Sequence, residues 1–267
     1  MASMHPAPID AGILGDLRNA LAVFGRDRAS CLRQAFLASM EVERASGGPR
    51  ASTFRHEHIA RSLHGCGHAA RVSVWSAWLT LMPRPHAARC PHLSGQPAHG
   101  VSVEQECHAA IVAAFIHDTG RHNEWVDHAH GDASADHLGD HLLATVAHPH
   151  LAADALEAVR LHSRHESDAG TGLQRTRAWA ILKDADGLDW GRFGTPTSGW
   201  GCDIAYLRTR AASDMAVVWM AWHLAEAGPS GGWSDRPVAQ VWDAFRVAVA
   251  PLAEDPDAGP VAAAILD

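Results

Sequence analysis

The sequence predicts an all-α protein. Apolar residues recur at three- and four-residue intervals along most of its 267 residues, and no stretch alternates with the two-residue period of a strand. The breaks between periodic runs carry glycine and proline, as in Ser46-Gly47-Gly48-Pro49 and Met82-Pro83-Arg84-Pro85. Hydrophobic residues make up 47% of the chain and charged residues 19%, which places it among folded proteins and not disordered ones.

Each element follows from its apolar face. Residues 1–8 read as a frayed tail. Between 9 and 43, Ile13, Leu17, Leu21, Phe24, Leu32, Phe36 and Met40 share a helical face broken near Gly25-Arg26-Asp27, so two helices or one kinked helix are expected. A helix over 68–81 buries Val72, Trp75, Trp78 and Leu79 and stops before Pro83. Residues 83–100 form a loop with His86, Cys90, His92 and His99; their spacing matches no standard zinc finger, so a surface insertion is expected. The helix over 103–118 buries Cys107, Ala110, Ile111, Ala114 and Phe115 and ends at Gly120. Helices follow over 132–147, 151–162 and 176–188, the last carrying Trp179, Ile181 and Leu182. After a loop at 191–201, helices are expected over 204–212, 214–227 and 238–252, then a short tail. The segments divide as an N-terminal helical extension (1–50), a helical core (51–200) and C-terminal helices packing on it (201–267).

Composition excludes some function classes. Thirty acidic against 22 basic residues give a net charge of -8, which argues against broad capture of nucleic acid. No charge-free apolar segment reaches membrane-spanning length. The cysteines Cys31, Cys66, Cys90, Cys107 and Cys202 are odd in number and scattered, and no secretory signal is visible. A reducing cytoplasm with free thiols is the expected setting.

The chemistry-bearing residues gather at helix ends. His117-Asp118 closes an apolar helix, and neighbouring helical residues converge on one site most easily where the helix is ending. His68 opens a helix after Gly65 and Gly67, with Arg71 on the same face. His64 lies four residues earlier, but the glycines argue against a continuous helix and favour a hydrogen-bonded loop position. A helix burying Trp179 and Leu182 cannot bury Asp184, Asp186 and Asp189 cheaply, since an unpaired buried charge costs several kcal/mol. A divalent cation facing Asp186 removes that objection. Lys183, the chain's only lysine, lies one turn before Asp186 and would emerge beside such an ion. Trp190 and Trp200 flank the following loop, where an aromatic ring could stack on a base.

The ordered set His68, His117-Asp118 and Asp186 resembles the H…HD…D pattern of the HD superfamily of metal-dependent phosphohydrolases. The resemblance covers residues 62–192. His64-Gly65-Cys66-Gly67-His68-Ala69-Ala70-Arg71-Val72 is similar to an HGxxHxxRV opening. His117-Asp118-Thr119-Gly120-Arg121 with His130-Gly131 downstream is similar to a subgroup with HD, Arg and a later His-Gly. Asp184-Ala185-Asp186-Gly187-Leu188-Asp189-Trp190-Gly191-Arg192 resembles that subgroup's DADxLDxxR signature.

The resemblance implies a single all-α HD-type domain in which His68, His117, Asp118 and Asp186 hold a divalent metal. Two imidazoles and two carboxylates suit Mn, Fe, Co, Ni, Zn or Mg. It implies a cytoplasmic phosphohydrolase that attacks a phosphomonoester or phosphodiester of a small metabolite or nucleotide with a metal-activated water. Asp118, Lys183, Arg121 and Glu124 are then the catalytic candidates, and Arg71, Lys183 and Arg121 the phosphate contacts. His130 and His162 are candidate ligands of a second metal. One position departs from the family: nucleotide-cleaving members place an acid three residues after the HD aspartate, where this chain has Arg121, and Glu124 is the candidate substitute. The alternatives are a di-iron HD-type oxygenase and a non-catalytic ligand-binding helical module.

Overall fold

The computed structural model describes residues 11–46, 48, 53–56, 63–82, 100–164, 176–195, 197, 201–227 and 236–267. Most of the 83–100 loop with its Cys/His set lies outside the described residues, as do His165 and Trp200. Among the described residues the secondary structure is all helical, as the sequence predicts.

The first apolar stripe forms two helices, α1 (Ala11–Phe24) and α2 (Arg26–Ser46). Gly25 separates them at φ 82°, a left-handed conformation that costs an L side chain energy, and its N–H caps Leu21 O at 3.3 Å.

Helix α3 (Cys66–Leu81) is the axis of the molecule. Every residue from Cys66 to Thr80 is buried, because α2, α4 (Val103–Ile116), α7 (Arg177–Asp189) and α9 (Pro237–Val249) pack around it. Two of its polar residues are answered locally: Ser73 Oγ donates to Ala70 O and Thr80 Oγ1 to Ser76 O, each at 2.8 Å. Trp75, Trp78 and Trp179 lie fully within the core. Burial of side chains this size stabilises by roughly 1.5–3 kcal/mol each.

Helices α5 (His130–Thr145) and α6 (Pro149–Leu161) form an antiparallel pair beside α4. Helix α8 (Met215–Ala227) packs on α1, α7 and α9, and α10 (Gly259–Leu266) packs on α2. The buried core runs from Leu17 to Ile265, through all three sequence segments.

Two elements differ from expectation. Residues 204–212 form one 3-10 turn, Ile204–Tyr206, and then irregular turns. Their backbone is diverted: Asp184 on α7 accepts from Arg208 N at 2.8 Å and Thr209 N at 2.6 Å, amides that a helix would have used itself. Helix α10 replaces the expected tail. Eight residues are too few to hold a helix in isolation, and packing on α2 plus the Arg33 Nη2 donation to Asp267 O at 2.8 Å secure it.

Candidate functional site

Two helix C-termini and two helix starts deliver the site. His117 caps the C-terminus of α4, His162 caps that of α6, His130 opens α5, and His68 lies in the first turn of α3. Both C-termini carry partial negative charge that favours cations. Two glycines allow the approach. A Cβ on Gly120 would stand 2.2 Å from Ser134 N, and one on Gly131 would stand 2.6 Å from Val159 O. Larger residues there would push α4 from α5 and α5 from α6.

The four imidazoles are oriented alike. His117 Nδ1 bonds Ala114 O and His162 Nδ1 bonds Val159 O, each at 2.7 Å, and His130 Nδ1 bonds Asp127 O. His68 Nδ1 instead meets Asp189 Oδ2 at 2.7 Å. Carbonyl and carboxylate oxygens only accept, so each Nδ1 carries a proton, and in the neutral ring each Nε2 presents a lone pair. All four Nε2 atoms converge on Asp118.

Asp118 divides them between its two oxygens. Oδ2 lies 3.3 Å from His68 Nε2 and 3.7 Å from His117 Nε2. Oδ1 lies 2.9 Å from His130 Nε2 and 3.5 Å from His162 Nε2. Two triplets able to hold a metal result: His68, His117 and Asp118, and Asp118, His130 and His162. Asp186 approaches the first, with Oδ1 3.5 Å from His68 Nε2. Its side chain is 27% exposed against 4% or less for His68, His117 and Asp118, so it marks the open side.

Burial pushes His117 down to about 3 and His162 down as well, leaving neutral donors, whereas His68 is raised, because its bonds to Asp118 and Asp189 outweigh its burial. Burial alone would raise Asp118, but His117 and His130 beside it hold the carboxyl well below the usual range.

The remaining predicted residues fall into two supporting networks. Arg71 is taken up by Asp189, with Nε on Oδ1 at 2.5 Å and Nη2 on Oδ2 at 3.1 Å. Arg192 Nη1 reaches the same Oδ2 at 3.0 Å. Burial would raise Asp189, but these two guanidiniums keep it ionised. Arg71 thus braces the carboxylate that orients His68. Lys183 Nζ donates to Arg164 O at 2.8 Å, beyond the end of α6, and lies 5.7 Å from the centroid of the Trp179 ring. Arg121 turns inward: Nη1 is 3.6 Å from Asp118 Oδ1, and Nη2 donates to Trp125 O at 2.5 Å.

Glu124 ties the segment after Asp118 to the entry of α3. Its Oε2 accepts from Leu63 N at 2.8 Å and His64 N at 3.2 Å, and lies 3.5 Å from His64 Nδ1. Burial would raise this carboxyl, but His64 and the Leu63 amide hold it down to about 2. His64 is a hydrogen-bonded loop residue, as the sequence predicts. Its ring centroid is 5.4 Å from that of His68, and its Nε2 accepts from Arg192 Nη2 at 3.3 Å. A continuous polar chain therefore runs from Glu124 through His64, Arg192 and Asp189 to His68. The available signal was Arg192 three residues after Asp189, a spacing that pairs the two on one helical face. Trp190 is 51% exposed beside Phe193, its ring centroid 5.6 Å away.

Among the described residues Cys31, Cys66, Cys107 and Cys202 are free thiols, and no helix is long and apolar enough to cross a membrane.

Comparison with known proteins identifies a family. The family model of the SidE phosphodiesterase (PDE) domain matches residues 35–216, a span that runs from within α2 to the start of α8 and includes every site residue above. No curated protein and no solved structure matches. The family match overturns the resemblance to the HD superfamily, for which no family model matches. The physical reason is that an ordered set of histidines and aspartates at helix ends is what converging side chains in a helical bundle require, whatever the ancestry. In a chain with 20 histidines such a set is weak evidence of descent. With more than half of its length matched, the chain belongs to the SidE phosphodiesterase domain family.

Proposed function

We propose that this chain hydrolyses phosphodiesters at a metal centre built on Asp118. Membership in a phosphodiesterase domain family supports an enzyme that hydrolyses phosphodiester bonds, and favours that chemistry over oxygenation or passive ligand binding. The metal is carried by one observation. His68 Nε2 and His117 Nε2 lie 3.1 Å apart with both Nδ1 protons already committed, so two lone pairs face each other beside a carboxylate. A cation answers that arrangement. Ligand atoms about 2.1 Å from one ion are separated by roughly 3.0–3.4 Å, the range His68, His117 and Asp118 show among themselves within a few tenths of an ångström. A divalent ion such as Mn, Fe, Co, Ni, Zn or Mg, bound there, would supply Lewis acidity toward the phosphate and lower the pKa of a nucleophilic water.

The chain's own residues do the rest. Asp189 fixes the His68 tautomer, a carboxylate–imidazole arrangement that raises ligand basicity. Asp186 lines the open side, where substrate enters. His64, backed by Glu124 at Nδ1, presents Nε2 as a proton acceptor once a phosphate oxygen draws Arg192 away, so it can take the proton released by the attacking water and pass it to the leaving oxygen. The substrate is a small phosphorylated molecule with a diester link.

The test is hydrolysis of bis(p-nitrophenyl) phosphate and of p-nitrophenyl phosphate by the Mn(II)-loaded full chain, beside Asp118→Ala. Diester cleavage by the wild type, abolished in Asp118→Ala with far-UV circular dichroism unchanged, is expected. Equal activity in the variant overturns the assigned centre.

A second reading rests on the polar chain through His64. In it the His64–Glu124 pair acts directly on the phosphodiester and the buried imidazoles only position it. Activity that survives complete removal of metal by chelation selects this reading.

A further inference from the structure

Two exposed aromatic residues, Trp190 and Phe193, follow the helix that carries Asp186, and the phosphodiesterase reading gives them no task. Trp190 continues the last turn of α7 at φ -62° and ψ -13°. It stands four positions after Asp186 on the same helical face, about 6 Å further along the axis. Cα–Cβ bonds tilt toward a helix's N-terminus, which leans the indole back toward Asp186. Asp186 lines the open side of the centre, and Trp190 is 51% exposed. We propose that the Trp190 indole is a stacking subsite for a planar aromatic ring carried by the phosphodiester. The site then selects diesters with such a ring one short link away from phosphorus. This rests on the phosphodiesterase reading above and names its substrate class more closely.

Three relationships carry it. The first is a physical tie between the indole and the centre. Phe193 meets Trp190 edge to face, with the planes at 74°, and the Arg192 guanidinium lies over the Phe193 ring at 4.3 Å from its centroid. That guanidinium also bonds Asp189 Oδ2 and His64 Nε2, so the aromatic pair and the polar chain behind His68 share one anchor.

The second is which ring has a face to offer. Arg192 already takes one face of Phe193, whereas an edge-to-face contact uses at most one face of the indole.

The third is an unmet donor. The Arg192 side chain is 8% exposed, and its buried Nε finds no hydrogen-bond partner among the described residues. A buried donor left unsatisfied is costly, and an incoming phosphate oxygen would relieve a guanidinium held between His64 and the aromatic pair.

The test is the affinity of the full chain, in Mn(II) buffer, for 2-phenylethylphosphonate and 2-cyclohexylethylphosphonate, measured by calorimetry. The two probes share charge and length and resist hydrolysis, and only the first has a flat ring. The wild type should bind the phenyl probe about tenfold more tightly, within the range that stacking on an aromatic side chain supplies. Trp190→Ala should bring the two affinities together by weakening the phenyl probe alone, and Trp190→Phe should keep the preference, with circular dichroism unchanged in both variants. Equal affinities in the wild type, a preference that survives in Trp190→Ala, or no binding of either probe overturns the inference. A preference that depends on Trp190 in a chain that cleaves no diester leaves the subsite standing and overturns the phosphodiesterase reading instead.

Discussion

Asp118 Oδ1 lies 2.9 Å from His130 Nε2, while its other oxygen faces His68 and His117. One buried carboxylate thus joins two helix C-termini, a helix start and the first turn of the central helix.

Asp189 touches no substrate-facing surface, yet it fixes both His68 and the two arginines behind it. Asp189→Asn keeps the shape and removes the charge. Loss of such a partner weakens metal affinity by about 10–100-fold, and a competition titration with a chelating dye measures it. An unchanged affinity shows that His68 does not depend on Asp189.

His64→Ala and Glu124→Gln test the pair at the entry of α3. A lost general acid lowers kcat by roughly 10²–10⁴-fold, whereas metal content and KM stay near wild type. The loss in kcat should shrink for diesters with good leaving groups, which need no proton. A uniform loss across leaving groups contradicts the assigned role.

Gly131→Ala places a methyl group against the Val159 and Arg160 carbonyls, at 2.6 and 2.7 Å. Overpacking of this kind costs about 1–3 kcal/mol. Because it separates α5 from α6, it also moves His130 from His162. Chemical denaturation and activity should both fall, with activity falling further.

His223 on α8 gives a pH dependence remote from the site. It is buried against Trp222 and Phe245, and neither ring nitrogen finds a hydrogen-bond partner among the described residues. Burial pushes its pKa down to about 4 from 6.5. The folded state therefore resists a proton that the unfolded chain takes up below pH 6.5, so stability falls as the pH drops from there toward 4. At about 1.4 kcal/mol per pKa unit, the loss reaches about 3 kcal/mol. Denaturant midpoints for the wild type and His223→Leu should diverge across that window, with the variant flatter; parallel curves refute the assignment.

The sequence by itself determined the helices and most of their bounds. Their apolar periodicity, the break at Gly25 and the stop before Pro83 are local properties, readable without knowing what packs where. It also put His68, His117, Asp118 and Asp186 in one group, because helix ends are where unlike neighbours can converge. What it took for ancestry was chemistry: the same residue types in the same order occur in a chain whose family is that of a SidE phosphodiesterase domain. Only the tertiary structure decided what the cations do. Arg71 and Lys183 read as phosphate contacts while their partners were unknown, but Asp189 and the Arg164 carbonyl, distant in sequence, take them. His64 is the hydrogen-bonded loop residue that the glycines predict, but only the fold shows that its partners are Glu124 and Arg192, 60 and 128 positions away. A charge's role is set by what lies within a few ångströms of it, and in a helical bundle those neighbours come from other helices.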